Sequence, residues 1–324
     1  MSLSSLFFFV LGILLLYIGA ETTVKGGSRL ALGFGIRPII VGMTVISIGT
    51  SFPEFTVSLI AAARKTEDIA LGNIIGSNIA NIGLVVSLSA IIRPLTIRVN
   101  TVKREMPFLI VALLIFYLLC LDKTISRMDG IILFGGFILF MIYLTRMAVR
   151  DRKYGNEVER ELLSDRVSKK ATLWNAFLSV IGLGILVLGS YLCVKSANDI
   201  AIAFGISRVV ISLTMIAVGT SLPELVVSSL SAYRGHVDFA VGNVVGSNIF
   251  NTLFVIALVS IIYPIPVDAN LLHFEYPVMI GFSIIFLPII ISGFIIRRWE
   301  GVLLLVLYMV FIYILFLRMT AFAH

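Results

Sequence analysis

Ionisable side chains are scarce in this sequence: Asp, Glu, Lys and Arg make up 13% of 324 residues, against 59% apolar residues. A water-soluble domain of this size cannot cover its surface with so few charges. Histidine occurs only at His236, His273 and His324, never as a cluster. The two cysteines, Cys120 and Cys193, lie in apolar runs without a partner at metal-ligand spacing, so they read as small hydrophobes. His-Glu-x-x-His, Gly-x-Ser-x-Gly and paired-aspartate motifs are missing, and Ser51 has no candidate base other than Glu54. These absences argue against an intramembrane enzyme; no catalytic residue and no cofactor are expected.

Long apolar blocks fill the space that charge leaves. Many reach about 18 residues or more, the length that crosses roughly 30 Å of hydrocarbon, and the mean hydropathy is +1.07. The first block has no positive n-region and no small-residue cleavage site, and is read as a permanent span. Ten spans are expected, near 3–25, 37–64, 68–92, 105–121, 128–147, 173–196, 207–233, 238–262, 272–292 and 298–319. The net charge of +7 then reports topology rather than nucleic-acid binding. With the N-terminus outside, 17 of the 25 Lys and Arg fall on the cytoplasmic side and 7 outside, with Lys25 inside a helix. The positive-inside rule therefore places both termini outside the cell membrane and the mixed-charge loop 148–172 in the cytoplasm. That loop reads as a flexible or partly helical linker.

Internal repetition is the most informative feature. Residues 35–97 align with 205–267 at a constant offset of 170, without a gap, and 27 of the 63 pairs are identical. The strongest blocks are Gly-Thr-Ser-Phe-Pro-Glu at 49–54 against Gly-Thr-Ser-Leu-Pro-Glu at 219–224, and Gly-Asn-x-x-Gly-Ser-Asn-Ile-x-Asn at 72–81 against 242–251. Such a match implies duplication. Five spans per copy is an odd number, so the expected fold is an all-α polytopic membrane protein of two inverted five-helix repeats, at 1–147 and 173–324. Secondary transporters use this plan, with ion sites at the repeat interface near the midplane.

The repeated polar blocks sit in the middle of apolar spans. Proline removes a backbone donor and collides with the preceding turn, so the helices are expected to break near Gly49 and Gly219, freeing the carbonyls of Ser47 and Ala217. Freed backbone survives in a membrane only when buried in protein or facing water or ions. Thr50 and Ser51 lie four and three residues before Glu54, and Ser77 and Asn81 are four apart, as are Ser247 and Asn251. Where helix persists these oxygens share a face. Together the copies offer two carboxylates, hydroxyls, amide oxygens and carbonyls, a hard donor set suited to Ca2+ and unlike the Cys and His sets of transition metals. A lone Ser, Thr or Asn in a spanning helix usually bonds backbone or a neighbouring helix. A mid-membrane glutamate is different, costing on the order of 3 kcal/mol, and here two occupy equivalent breaker motifs. Gly72, Gly76, Gly242 and Gly246 are read as packing positions, and Asn73, Asn78, Asn243 and Asn248 as either structural or ligating. Glu21, Asp129 and Glu275 read as charges near the membrane surfaces, as do the repeat mates Asp68 and Asp238.

On these paired motifs the sequence resembles the calcium/cation antiporter superfamily, specifically the prokaryotic sodium/calcium exchanger branch, over the whole chain. The resemblance implies four central cation positions and alternating access by sliding of the first and sixth spans. Its implied ligands are Glu54, Thr50, Ser51, Ser77, Asn81 and the Ser47 carbonyl, with Glu224, Thr220, Ser221, Ser247, Asn251 and the Ala217 carbonyl as partners. Potassium-dependent members carry Asp where this chain has Asn251, so potassium cotransport is not expected. Proton-coupled members place an extra carboxylate in the third and eighth spans, where this chain has Asn. The implied activity is exchange of Na+ for Ca2+, three to one and electrogenic, by a functional monomer. A Ca2+/H+ antiporter on the same scaffold, with protons titrating Glu54 and Glu224, is the nearest rival, and a cation channel is a further one.

Overall fold

A computed structural model of the chain describes residues 3–97, 104–154, 169–204, 219–269 and 271–322. The first helix, α1 (Leu3–Phe34), runs past the expected end at 25. Within it the charge of Glu21 is paired with Lys25 on the next turn and with Arg234 from a distant helix end. The helix stops at Gly35, whose φ of +63° a side chain would resist. Gly35 N–H donates to Leu32 O and Ile36 N–H to Ala31 O, the Schellman closure of the last turn.

The second expected span is a chain of short pieces. Pro38 opens α2 (Pro38–Val41), a π-helical stretch Gly42–Ile46 follows, then α3 (Ser47–Thr50). After a break at Ser51, α4 (Phe52–Ala63) continues with a 41° bend. A tight turn with Lys65 at φ +58° leads into α5 (Glu67–Ala80), which passes through a π-helical stretch Asn81–Val86 into α6 (Ser87–Ile92). The two-residue strand β1 (Leu95–Thr96) follows. Beyond it come α7 (Met106–Leu119), β2 (Thr124–Ile125) and α8 (Arg127–Tyr154).

The same order returns after α9 (Lys169–Ala203): α10 (Leu222–Tyr233), α11 (Val237–Phe250), the π-helical stretch Asn251–Val255, α12 (Ile256–Ile262) and β3 (Ile265–Pro266). Then α13 (Tyr276–Ile291), β4 (Ile295–Ile296) and α14 (Arg298–Phe322) complete the chain. Strand β1 pairs antiparallel with β4, and β2 with β3, so each clip joins a residue of the first half to one of the second.

Seven helices are long and apolar enough to cross a membrane, or eight if the bent pair Pro38–Thr50 and Phe52–Ala63 is one span. The chain is a multi-pass membrane protein. Among the described residues the ten expected spans do not all reach full length: α7 has 14 residues, about 21 Å at 1.5 Å per residue. The first part of the seventh expected span, 207–218, lies outside the described residues, as does 155–168 of the expected linker. Helices α8 and α9 continue into that linker's two ends, to Tyr154 and from Lys169.

Burial separates the spans. The best apolar windows of Ile69–Ile92 and Val237–Ile262 are 78% buried, against 22% in α8 and 28% in α14. Helices α5 and α11 are therefore the centre of the molecule, and the others present lipid-facing surfaces. Small residues permit the closest contacts. A Cβ on Gly242 would lie 2.7 Å from Ile39 O, and one on Gly246 2.6 Å from Met43 Cα, so α11 meets the α2–α3 segment backbone to backbone. Gly72 meets nothing within 4 Å, so the packing role expected there is not seen. Helices α1 and α9 are joined the same way. A Cβ on Gly19 would stand 2.5 Å from Leu186 N, and one on Gly189 2.6 Å from Leu16 N.

Candidate cation site

Where the chain breaks decides which oxygens are free. The break falls at Ser51 (φ −84°, ψ 6°), two residues after Gly49. Ser51 N–H still donates to Ser47 O at 3.0 Å, so the Ser47 carbonyl is not released as the sequence suggested. The carbonyl that loses its helical donor is the one four residues before the proline, Gly49 before Pro53 and Gly219 before Pro223. Gly219 O is taken up by the Ser190 hydroxyl of α9 at 3.1 Å. Its counterpart in α1 is Ala20, which has no hydroxyl to offer Gly49. The Ala217 carbonyl lies outside the described residues.

Pro53 and Pro223 each stand in the first turn of a helix, α4 and α10, where a missing N–H does no harm. One residue further come Glu54 and Glu224, both fully buried. A carboxylate in a helix's first turn lies close to the positive end of the macrodipole, which favours its charge. Each carboxylate uses Oε1 for hydroxyl donors from both halves. Glu54 Oε1 accepts from Ser77 at 3.3 Å and from Ser221 at 3.4 Å. Glu224 Oε1 accepts from Ser247 at 3.4 Å and from Ser51 at 3.0 Å. Every contact in this set has its counterpart 170 residues on.

The asparagines form a second layer. Asn81 donates to Asn248 Oδ1 at 2.9 Å and Asn251 to Asn78 Oδ1 at 3.2 Å, each from the first residue of a π-helical stretch. Such one-turn widenings recur at functional sites because they re-aim side chains. Asn78 also donates to Thr252 and Asn248 to the Asn78 carbonyl, so Asn78 and Asn248 bind their neighbours across the centre. Thr50 and Thr220 are both buried, with Thr220 Oγ1 3.3 Å from Ser77 Oγ. The structure thus brings together Thr50, Ser51, Glu54, Ser77, Asn81, Thr220, Ser221, Glu224, Ser247 and Asn251.

Four buried oxygens in this cluster have no hydrogen-bond donor among the described residues: Glu54 Oε2, Glu224 Oε2, Asn81 Oδ1 and Asn251 Oδ1. They occupy two pairs of equivalent positions. A buried acceptor without a donor is expensive, and two carboxylates in a dry interior more so. The set is all oxygen, doubly acidic and devoid of Lys or Arg, which is the donor chemistry of a hard cation. Sequence reasoning missed Ser58 and Ser228, whose hydroxyls accept from the side-chain amides of Asn73 and Asn243. Their signal was present, since both lie four residues after a glutamate and match at the 170 offset.

A polytopic helical protein with broken helices around a buried oxygen cluster is of the ion-transporter class. The sodium/calcium exchanger protein family matches residues 4–146 and 174–317, and the chain belongs to that family. It is an exchanger rather than an enzyme. Among relatives, inner membrane protein YrbG of Escherichia coli is 38% identical over 279 residues, covering 86% of each chain. The sodium/calcium exchanger MaX1 of Methanosarcina acetivorans is 30% identical, over 95% of this chain and 97% of that one. The fold matches the sodium-calcium exchanger NCX_Mj soaked with 2.5 mM Na+ and 0.1 mM Ca2+, with TM-score 0.81 and 34% identity over 96% of this chain and 98% of that chain.

Proposed function

We propose that the protein is a secondary active antiporter that exchanges Na+ for Ca2+ through one central site by alternating access. The observation that carries this reading is the set of four donorless oxygens, Glu54 Oε2, Glu224 Oε2, Asn81 Oδ1 and Asn251 Oδ1. Two carboxylates supply a charge that one Ca2+ neutralises. Na+ ions compete for the same oxygens, so occupancy by the two cations is mutually exclusive. Ser51, Ser77, Thr50 and their counterparts Ser221, Ser247 and Thr220 complete the ligand set, with the Ala217 carbonyl and the second lone pair of the Ser47 carbonyl, whose first accepts from Ser51 N–H. Three Na+ for one Ca2+ moves one net charge per cycle.

In this reading the chain has ten spans, as two inverted repeats at 1–147 and 173–324 joined by the cytoplasmic linker 148–172, with both termini outside. Helices α1 and α9 slide as a pair across the broken helices, and a monomer suffices. The name of MaX1 and the ions named for the NCX_Mj structure support the choice of Na+ and Ca2+.

Uptake of radiolabelled Ca2+ into proteoliposomes loaded with Na+, at matched pH and two clamped potentials, tests the reading. Uptake that requires internal Na+ and grows with inside-positive potential is expected, because net positive charge leaves with Na+. Uptake driven by a pH gradient and indifferent to Na+ would make the partner a proton. Currents in single-channel steps would make the protein a channel.

A further inference from the structure

Behind the candidate ligands lies a relay that the exchange reading does not use. The Asn73 side-chain amide donates to the Glu54 carbonyl at 3.1 Å and to Ser58 Oγ at 3.0 Å. Ser58 in turn donates to the Ala70 carbonyl at 3.1 Å. The logic of this chain fixes the amide's orientation. A carbonyl only accepts, and a hydroxyl has a single proton, so Ser58 Oγ, its proton directed to Ala70, must accept from Asn73. The amide NH2 therefore faces Glu54 and Ser58, and Asn73 Oδ1 faces the other half of the molecule. There it meets the Thr220 hydroxyl at 3.2 Å.

The same relay recurs with the halves exchanged. Thr50 Oγ1 donates to Asn243 Oδ1 at 3.1 Å, Asn243 donates to Ser228 Oγ at 3.0 Å, and Ser228 to the Ala240 carbonyl at 3.5 Å. All six side chains are buried, Thr220 least at 9% exposed. A hydroxyl that ligates a cation must turn its proton away and present lone pairs. An oriented amide oxygen on the far side gives the proton that destination. Thr50 also reaches Ser47 O, at the longer distance of 3.4 Å, and the Glu224 carboxylate, as Thr220 reaches that of Glu54. A cation held by the carboxylates takes up those oxygens, and the amide oxygen is left as the nearest destination for the proton.

We propose that Asn73 and Asn243 are positioning residues: each takes the hydroxyl proton of the other half's threonine, Thr220 or Thr50, so that the threonine oxygen meets the transported cation lone-pair first. The proposal rests on the cation-exchange reading of the site. It makes each half's ligand geometry depend on the partner half. Ser58 and Ser228 act one step further back, holding the amides against a flip.

The test is a pair of double-mutant cycles read as equilibrium binding of radiolabelled Ca2+, and its competition by Na+, on purified protein in detergent. Outer-shell partners of metal ligands typically account for roughly 10- to 100-fold in affinity, and about tenfold weaker Ca2+ binding is expected for Asn73→Ala. Thr220→Val weakens binding as well. If Asn73 acts through Thr220, adding Asn73→Ala to Thr220→Val changes little further, while Asn73→Ala with Thr50→Val multiplies the two losses. Ser58→Ala, a milder change that keeps the amide in place, shows a smaller loss that also vanishes in the Thr220→Val background. This second cycle decides the matter should Asn73→Ala not fold. Losses that multiply equally with either threonine would overturn the positioning role and leave the exchange reading standing. A wild-type protein that binds neither Ca2+ nor Na+ would overturn both.

Discussion

Glu54 and Glu224, the two carboxylates of the proposed cation site, each use their two oxygens differently. Oε1 of either residue is engaged by serines from both halves, while Oε2 has no donor among the described residues. Glutamine has nearly the same shape but lacks the charge, and would bring an NH2 group among oxygens that need a cation. Because charge count among the ligands sets Ca2+ affinity, Glu54→Gln and Glu224→Gln are each expected to lower Ca2+ binding by about 100-fold or more. Isothermal or radioligand titration of well-folded protein checks this. Retention of wild-type affinity in either variant would remove that carboxylate from the site. These glutamates were legible in the sequence because an uncompensated charge in an apolar run has few explanations and duplication leaves fewer. Asn73 and Ser58 were not legible as a relay. A polar side chain in a spanning helix reads alike whether it grips its own backbone or aims a neighbour, and only the direction of its protons separates the two.

At the scale of elements, the long helices show most clearly where sequence reading falls short. Hydropathy ends the first span near 25, since Glu21, Lys25 and Arg29 dilute the apolar run. The helix continues to Phe34, and within it Glu21 is met by Arg234 through two hydrogen bonds, at 2.9 and 3.1 Å. That pairing comes from a residue more than two hundred positions away, and no local pattern announces it. Proline, by contrast, was a local signal: the break was expected at Gly49 and falls at Ser51, within a turn. The contact of α1 with α9 is a matter of backbone more than side chain. Gly19→Ala would set a methyl 2.5 Å from Leu186 N, which only movement of one helix can relieve. Overpacking of this kind costs about 1–3 kcal/mol, so a lowered Tm is expected in a thermal melt in detergent. Gly184→Ala on the same α9, where a Cβ meets nothing within 4 Å, is expected to leave Tm unchanged or slightly raised. Equal shifts for the two would mean that the glycines do not set the spacing.

As a whole molecule, the protein is two halves that interlock rather than two that lie side by side. The carboxylates take serines from across the interface, the asparagines bond one another over the centre, and each small β-clip has one strand from either half. The repeat at offset 170 made this pairing foreseeable. Its exceptions were harder to see, because they depend on which single residues diverged after duplication. The hydroxyl of Ser190 on the Gly219 carbonyl, with Ala20 in the corresponding place opposite Gly49, is one such exception. Hydrogen bonds between membrane helices average about 0.6 kcal/mol, a roughly threefold factor in population. Ser190→Ala is accordingly expected to shift the ratio of the two orientations about threefold, read as the relative labelling of single cysteines placed at either mouth. An unchanged ratio would show that the bond persists throughout the cycle. A pair of identical halves would give a transporter with no preferred side. On the exchange reading proposed above, one serine kept where its twin keeps an alanine is among the differences that would give the cycle a resting posture, so that the gradients start from an already tilted balance.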